Sequence, residues 1–148
     1  MRKVTLEPIG FEVVSIPVHA QKFYVLDVLK ALCALHQIGL CHNDVRHQNV
    51  VCLSRSLDRW MLIDLELAQQ AYTTLPGGLN PNHPLRKRTA PNPGISSPQN
   101  DVYMLFEIVN DKFVRGNDNN VTALLAVLED CSKGEIEIDA ACSHISNL

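Results

Sequence analysis

The sequence predicts a mainly α-helical domain of the α+β class, with one small β-hairpin and a single core. Three features indicate this class. Residues 20–37 form a long apolar segment with helical periodicity, two short apolar runs near residues 50 and 60 are spaced as a hairpin, and amphipathic helical patterns follow residue 97. With 148 residues and 46% hydrophobic content, the chain is long enough to bury a core. Residues 1–148 are therefore predicted to form one domain.

The composition argues against several classes of protein and partner. A formal net charge of −3 gives no electrostatic basis for binding nucleic acid. No apolar stretch approaches the length of a membrane span, and the N-terminal segment lacks the uninterrupted apolar run of a signal peptide. The five cysteines are odd in number and form no CxxC pair, so neither a zinc site nor a disulfide framework is indicated. We expect an intracellular, cytoplasmic protein with buried free thiols.

The first half of the chain contains one long helix and one hairpin. Residues 1–19 alternate short apolar runs with turn-forming residues and are predicted to be extended. The helix over residues 20–37 is apolar on most sides, which is typical of a central core helix, and Gly39 ends it. A turn of mixed polarity follows up to Asn49. Residues 50–53 and 60–63 are then predicted to pair as a β-hairpin.

The second half contains a long loop followed by helices. Residues 69–97 are rich in Pro, Gly, Asn and Thr and show no periodicity, so a loop is predicted, and its basic triplet at 86–88 is interpreted as solvated surface. Ser97 and Pro98 have the pattern of a helix start. Further helices are predicted over residues 98–109, 121–131 and 138–145, with Gly134 between the last two.

Polar side chains beside the predicted hairpin form a candidate catalytic site. Asp44, on the loop before the hairpin, can orient a hydroxyl group and accept its proton. Asn49, just before the first strand of the hairpin, and Asp64, just after the second strand, offer oxygen ligands of the kind that Mg²⁺ prefers. Arg46 can neutralise charge on a phosphoryl group. Together these are the groups that phosphoryl transfer requires from one side of a site.

Each of these residues also has a simpler interpretation. Asp and Asn are common turn formers because their side chains bond to nearby backbone, and His42 can be a packed histidine that holds a loop together. One such motif arises easily by chance. Two motifs in this order, joined by a hairpin and preceded by a buried helix, are much less easily explained that way.

These motifs resemble those of the protein kinase-like superfamily. "HNDVRHQN" resembles the catalytic loop and "LIDLELA" the metal-binding turn, while "SSPQNDVYMLFEIV" is similar to the helix after the activation segment and "VTLEPIGFEV" to the hinge. The resemblance covers most of the chain and is most specific at residues 35–68. It implies the large lobe of a kinase, divided into four segments. These are a hinge-like segment (1–19), a core helix followed by the catalytic-type loop and the metal-type turn (20–68), a loop like an activation segment (69–97), and the C-terminal helices (98–148).

The resemblance also implies roles for individual residues. Mg²⁺ and ATP are the implied cofactors, with the γ-phosphoryl group transferred to a hydroxyl. The implied roles are catalytic for Asp44, Arg46 and Asn49, metal-binding for Asn49 and Asp64, nucleotide-binding for Glu7 and Ile9, and structural for His42 and Asp101. Asp101 is expected to brace the catalytic-loop backbone.

The motifs depart from the usual kinase pattern in informative ways. Asn43 stands where Arg is usual, and Leu65 and Glu66 stand where Phe and Gly are usual. These details resemble divergent kinase-like domains of fungi and oomycetes, and also choline and aminoglycoside kinases. Asp101 follows Ala68 by 33 residues, a spacing that favours the protein-kinase branch.

Parts of a complete kinase are not found in the sequence. The glycines form no G-x-G-x-x-G motif, and no lysine lies at the position of the strand lysine of kinases. The Ala-Pro-Glu motif is lacking, and after Arg115 no arginine follows that could be its usual partner. We therefore expect the N-terminal lobe to be absent and the chain to be weakly active or inactive alone. A protein partner, or a small lobe supplied in trans, is expected; the oligomeric state stays open. Two alternatives remain, a non-catalytic pseudokinase-type interaction module and a relative of the small-molecule kinases.

Overall fold

A computed structural model describes residues 10–75, 83, 90–113 and 120–148 of the chain. The elements are α1 (Val18–Gln37), β1 (Leu40–Cys41), a 3-10 turn (His47–Asn49), β2 (Val50–Cys52), β3 (Trp60–Leu62), β4 (Gln69–Gln70), α2 (Pro98–Lys112), α3 (Asn120–Ser132) and α4 (Ile138–Ser146). The predicted α+β class with mainly helical content is confirmed. The apolar run at 4–6, the predicted nucleotide-binding residues Glu7 and Ile9, the triplet at 86–88 and Arg115 lie outside the described residues.

Helix α1 is the central element of the fold. It begins at Val18, two residues before the predicted start, and packs against α2, α4, β1 and β3. Tyr24, Leu29 and Leu32 are fully buried on it. Gly39, just past its end, has a φ of +76°, a left-handed conformation that glycine adopts without strain. The helix therefore ends where the sequence predicts and turns the chain directly into the candidate catalytic loop.

The predicted hairpin is confirmed as the antiparallel pair β2 and β3. Val50 is opposite Leu62 and Cys52 is opposite Trp60. Phe11 adds a bridge to Cys52, with its N–H and C=O bonded to the Cys52 backbone at 3.0 and 2.9 Å. The Trp60 N–H donates to the Asp27 carboxylate at 2.8 Å, which ties the hairpin to α1. The hairpin thus has a fixed position on the central helix.

A second pair of strands was not predicted. β1 and β4 are antiparallel, and they lie in segments for which the sequence predicts only a turn and a loop. Each strand is two residues long, which is too short to show the alternation by which a strand is recognised in a sequence. The β4 residues are both glutamines, so no apolar signal marks them. This pairing holds the start of the predicted loop against the segment that follows α1.

Two of the remaining helices, α2 and α4, pack on α1, and α3 packs on both of them. The Ser97 hydroxyl accepts a hydrogen bond from the Asn100 N–H at 3.2 Å, so the predicted cap of α2 is confirmed. Within the described ranges, none of the helices combines the length and hydropathy needed to cross a bilayer.

Candidate active site

A buried carboxylate holds the backbone of the candidate catalytic loop. Asp101, fully buried near the start of α2, accepts hydrogen bonds from the N–H groups of His42 at 2.8 Å and Asn43 at 2.9 Å. His36, near the end of α1, donates to the same carboxylate at 2.9 Å. Two of these bonds therefore come from the loop backbone and one from a side chain of α1. No role for His36 was predicted, because only the fold brings α1 and α2 together here.

The thiol of Cys41 lies beside this carboxylate. His36, Cys41 and Asp101 place a nitrogen, a sulfur and an oxygen atom within 4.8 Å of one another. Burial, and secondarily the charge of Asp101, raise the pKa of Cys41 to about 11, so the group is a neutral thiol. Because the Asp101 oxygens already accept hydrogen bonds from the loop, we interpret the cluster as a brace for that loop.

His42 connects the loop to the end of β3. The ring is fully buried, with Nε2 3.0 Å from the Ile63 carbonyl and Nδ1 3.3 Å from the Asp44 N–H. A carbonyl can only accept and a backbone N–H can only donate, so the proton of this tautomer is on Nε2. His42 thereby fixes the backbone on either side of the site, at Asp44 and at the residue before Asp64.

Asn43 is a structural residue for which the sequence predicted no role. It has a φ of +63°, a left-handed conformation that Asn tolerates better than most residues. Its buried amide donates to the Leu67 carbonyl at 3.0 Å. This bond joins the catalytic-type loop to the turn that follows Asp64. It is made by a short, neutral side chain at the position where kinases usually have an arginine.

The Asp44 carboxylate is contacted on both of its oxygens. Oδ2 accepts from the Asn49 amide at 2.9 Å and lies 3.2 Å from Nε of Arg46. Oδ1 lies 3.6 Å from Nε2 of His83. The side chain is 14% exposed. Asp44 is therefore oriented through Oδ2 by Asn49 and Arg46, while His83 lies beside Oδ1.

His83 is a site residue that the sequence did not indicate. It lies in the segment predicted as a loop, where no periodic pattern or motif marks it. Only the tertiary structure brings its ring to Asp44. Arg46, in contrast, is half exposed and uses Nε for its contact with Asp44, so its two Nη groups can face an anionic ligand.

Asn49 and Asp64 flank the same end of the hairpin. The Asn49 amide nitrogen donates to both the carbonyl and the carboxylate of Asp44, at 2.9 Å each, so its Oδ1 is the atom that can bind a cation. The Asn49 carbonyl accepts from the Ile63 N–H at 2.8 Å, one residue before Asp64. The structure thus joins Asn49 directly to Asp44 and places Asp64 one residue beyond a backbone bond to Asn49.

Asp64 is exposed and held in an unusual backbone conformation. Its φ is +67°, and its Oδ1 accepts from the Glu66 N–H at 3.3 Å. A left-handed conformation in a residue other than glycine is often found at functional sites. The turn formed by Asp64, Leu65 and Glu66 therefore presents the carboxylate to solvent, although Glu66 replaces the usual glycine.

A different histidine anchors the segment before α1. His47 Nε2 lies 2.7 Å from the Val13 carbonyl, and its Nδ1 lies 3.2 Å from the Tyr24 hydroxyl. Because the carbonyl only accepts, Nε2 carries the proton and Nδ1 accepts from Tyr24, whose pKa is raised by burial. The catalytic-type loop is thus tied to the hinge-like segment as well as to α1 and α2.

Comparisons with known proteins find a protein kinase among the sequence matches and a protein-kinase fold among the solved structures. No protein-family model matches the chain. It is 39% identical over 51 residues to the human Cell division cycle 7-related protein kinase, and 35% identical over 85 residues to Crinkler effector protein 8 of Phytophthora infestans. These matches cover 34% and 55% of the chain, which spans only 9% and 13% of those proteins.

A solved structure matches most of the chain. ROP2 from Toxoplasma gondii, described as a virulence factor with a protein-kinase fold and no enzymatic activity, aligns with a TM-score of 0.53 and 15% identity. The alignment covers 87% of this chain and 45% of that one. At this identity the likeness establishes the fold alone. The chain therefore has a protein-kinase-like fold.

Proposed function

We propose that the domain forms the catalytic-loop side of a Mg²⁺-dependent site that transfers the γ-phosphoryl group of ATP to a hydroxyl. The observation that carries this proposal is the double hydrogen bond of Asn49. One amide group fixes both the backbone and the carboxylate of Asp44, and the same side chain has an oxygen left for a cation. Catalytic base and metal ligand are therefore linked in one rigid unit.

The oxygen ligands suit Mg²⁺. Asn49 and Asp64 provide two hard oxygen donors at one end of the hairpin, and Mg²⁺ commonly takes one or two protein ligands and completes its shell with phosphate and water. An ion held by these two residues would supply positive charge that stabilises the negative charge developing on the transferred phosphoryl group. The exposure of Asp64 leaves room for that shell.

The other residues would act on the acceptor and the phosphoryl group. Asp44 would orient the acceptor hydroxyl and take its proton as the new oxygen–phosphorus bond forms and the bond from the γ-phosphorus to the bridging oxygen breaks, which releases ADP. The Nη groups of Arg46 would bind the phosphoryl oxygens, since Arg forms two-point contacts with such anions. For this, His83 has to leave the side of Asp44 that faces the acceptor.

We propose that additional polypeptide completes the nucleotide site, either from a longer chain or from a partner. In kinases a glycine-rich loop and a lysine–glutamate pair hold the nucleotide. The described residues contain no such loop, and the pair Lys133–Glu129 is half exposed at the end of α3. Phe11, Val14 and Val18 are exposed along the hinge-like segment, and Val14 is 88% exposed. A covering lobe would bury this apolar surface. Without it, the chain should bind Mg²⁺-nucleotide weakly.

Calorimetry tests this proposal. Titration of Mg²⁺-ATP into the chain should give weak binding, with a dissociation constant on the order of 1 mM or higher. Asp64→Asn should remove that binding, because the Asp64 carboxylate carries the negative charge of the proposed ligand pair and the Asn49 amide is neutral. Asp130→Asn, on α3, is the matched control and should bind like the wild type. Tight binding by the wild type, or an unchanged Asp64→Asn variant, would contradict the proposal.

A non-catalytic interaction module is the second candidate function. Two observations favour it: both Asp44 oxygens are already contacted, and ROP2 is described as having no enzymatic activity. Phosphate release from Mg²⁺-ATP separates the two. A phosphotransferase should lose release in Asp44→Asn and gain it in His83→Ala, which uncovers Oδ1. An interaction module should show the same background in the wild type and both variants.

A further inference from the structure

A cavity of about 260 Å³ lies between the end of α1, the start of α2 and the connection from α3 to α4. The residues proposed to act in phosphoryl transfer do not line it. Its volume is below the roughly 300–1,000 Å³ of sites for drug-sized molecules. The cavity therefore has room for a single long side chain rather than for a nucleotide.

The lining has an apolar wall and a negative charge. Val102, Ile136 and Ile138 supply aliphatic surface, and Glu137 supplies a carboxylate. Among the described residues that line the cavity there is no lysine and no arginine. Such a lining suits a cation on an aliphatic stem, because the stem can contact the wall while the charged end meets the carboxylate.

A buried oxygen in the cavity wall has no hydrogen bond to any described residue. Oε1 of Gln99 is inaccessible to solvent, yet no donor within the described ranges reaches it. Nearly all buried polar atoms in proteins have a partner, so such an atom often marks the place of a missing group. Because Gln99 lines the cavity, rotation of its amide would bring Oε1 to the cavity surface, where a ligand that donates N–H groups would satisfy it.

An aromatic ring stands beside the cavity. Tyr72 lines it and is 71% exposed, although its backbone is fixed by a hydrogen bond to the Ser96 carbonyl at 2.6 Å. Its φ of +63° is uncommon for a tyrosine. The face of an aromatic ring attracts cations, and guanidinium groups stack on it especially well. A carboxylate, an amide oxygen and an aromatic face together match the guanidinium group.

We propose that this cavity binds an arginine side chain from a protein partner and that its occupancy is communicated to the catalytic-type loop. The connection is His36, which lines the cavity and also donates to Asp101 at 2.9 Å. Asp101 in turn holds the His42 and Asn43 N–H groups. A group that shifts the His36 ring would therefore alter the brace of the loop. Binding here does not require phosphoryl transfer, so the two proposals can fail separately.

NMR titration of the ¹⁵N-labelled chain with acetyl-arginine amide tests the proposal. Saturable shifts should appear at the Gln99 side-chain amide and the Ile136 and Glu137 amides. Smaller shifts of His42 and Asn43 should follow the same curve, because His36 and Asp101 connect them to the cavity. Acetyl-norleucine amide, with a stem but no guanidinium, should cause no saturable change.

Two variants and one matched control assign the contacts. Glu137→Gln should weaken binding about tenfold, a loss typical of a charge-assisted hydrogen bond. Gln99→Leu should also weaken binding while leaving the urea midpoint unchanged, because it removes a buried acceptor that has no partner. Glu135→Gln, on the same connection but outside the lining, should bind like the wild type.

The outcomes are distinct. Absence of saturable shifts, or equal affinity in Glu137→Gln, Gln99→Leu and the wild type, would overturn the site. Shifts in the cavity with His42 and Asn43 unmoved would overturn its connection to the loop. Free L-arginine carries charged termini that a peptide lacks, so tighter binding of free arginine than of acetyl-arginine amide would overturn the assignment to a protein partner.

Discussion

The carboxylate of Asp101 accepts hydrogen bonds from two consecutive backbone N–H groups, those of His42 and Asn43, and from the ring of His36. Two adjacent N–H groups can converge on one carboxylate only if the chain bends sharply between them. The dihedral angles of His42 set the relative direction of the two groups, and the left-handed φ of Asn43 redirects the chain immediately after them, toward Asp44. The position of Asp44 therefore depends on a residue 57 positions further along the chain that need not touch any substrate.

Replacing Asp101 with Asn should destabilise the protein by roughly 2–3 kcal/mol, because an amide NH₂ would face a buried N–H donor. Chemical denaturation with urea measures this change in the free energy of unfolding. Asp111→Asn is the matched control on the same helix: Asp111 is exposed, pairs only with Lys112 at 2.9 Å, and should change stability by less than about 0.5 kcal/mol. Equal effects of the two substitutions would show that the brace contributes nothing.

At the level of single residues, the sequence identifies those that belong to a motif. Asp44, Asn49, Asp64 and Asp101 are marked by fixed spacings that can be read along the chain. His83 carries no such mark, because its partner Asp44 is 39 positions away and nothing local predicts their meeting. The Asp44 and Asp64 variants test the roles proposed for these residues.

At the level of elements, the helices and the β2–β3 hairpin follow from the pattern of apolar residues. Helices α1, α3 and α4 begin and end within two residues of the predicted bounds, while α2 continues to Lys112, three residues further than predicted. The β1–β4 pair does not follow from any pattern, since its strands contain only two residues each. Each of these strands is identified by its hydrogen bonds to the other strand, because its own sequence carries no strand pattern.

The start of α2 allows a quantitative test at this level. Ser97→Ala removes the acceptor for the Asn100 N–H and for the Asn92 amide, which lies 3.1 Å from the same hydroxyl. Loss of a helix cap costs about 1 kcal/mol, and urea denaturation should show a decrease of that size. Ser143→Ala on α4 is the control, because that serine is exposed and its hydroxyl donates only to a carbonyl of its own helix. A larger effect at Ser143 would contradict the assigned cap.

For the whole molecule, burial of the cysteines couples stability to pH. All five are free thiols, and burial raises the pKa of Cys41 to about 11 and that of Cys131 to about 12 from an ordinary value of 9.0. Above pH 9 the unfolded chain loses these protons while the folded chain keeps them. The unfolded state then binds fewer protons, so stability should fall as pH rises.

The urea midpoint should accordingly decrease between about pH 9 and pH 11, after a region below pH 9 in which these thiols have no effect. Cys131→Ala removes one of the titrating groups and should give a shallower decrease over the same range, whatever its midpoint at pH 8. A wild-type midpoint that does not change up to pH 11 would contradict the burial of these thiols.

The proposed function requires that Asn49 and Asp64 bind a metal ion beside the loop that carries Asp44. Paramagnetic line broadening by Mn²⁺-ADP tests it most directly, because it detects weak binding and locates the ion. The amide signals of Asn49 and Asp64 should broaden at concentrations that leave the signals of α4 sharp, and Asp64→Asn should abolish the effect. Equal broadening of α4 and the hairpin end, or unchanged broadening in Asp64→Asn, would contradict the proposed function.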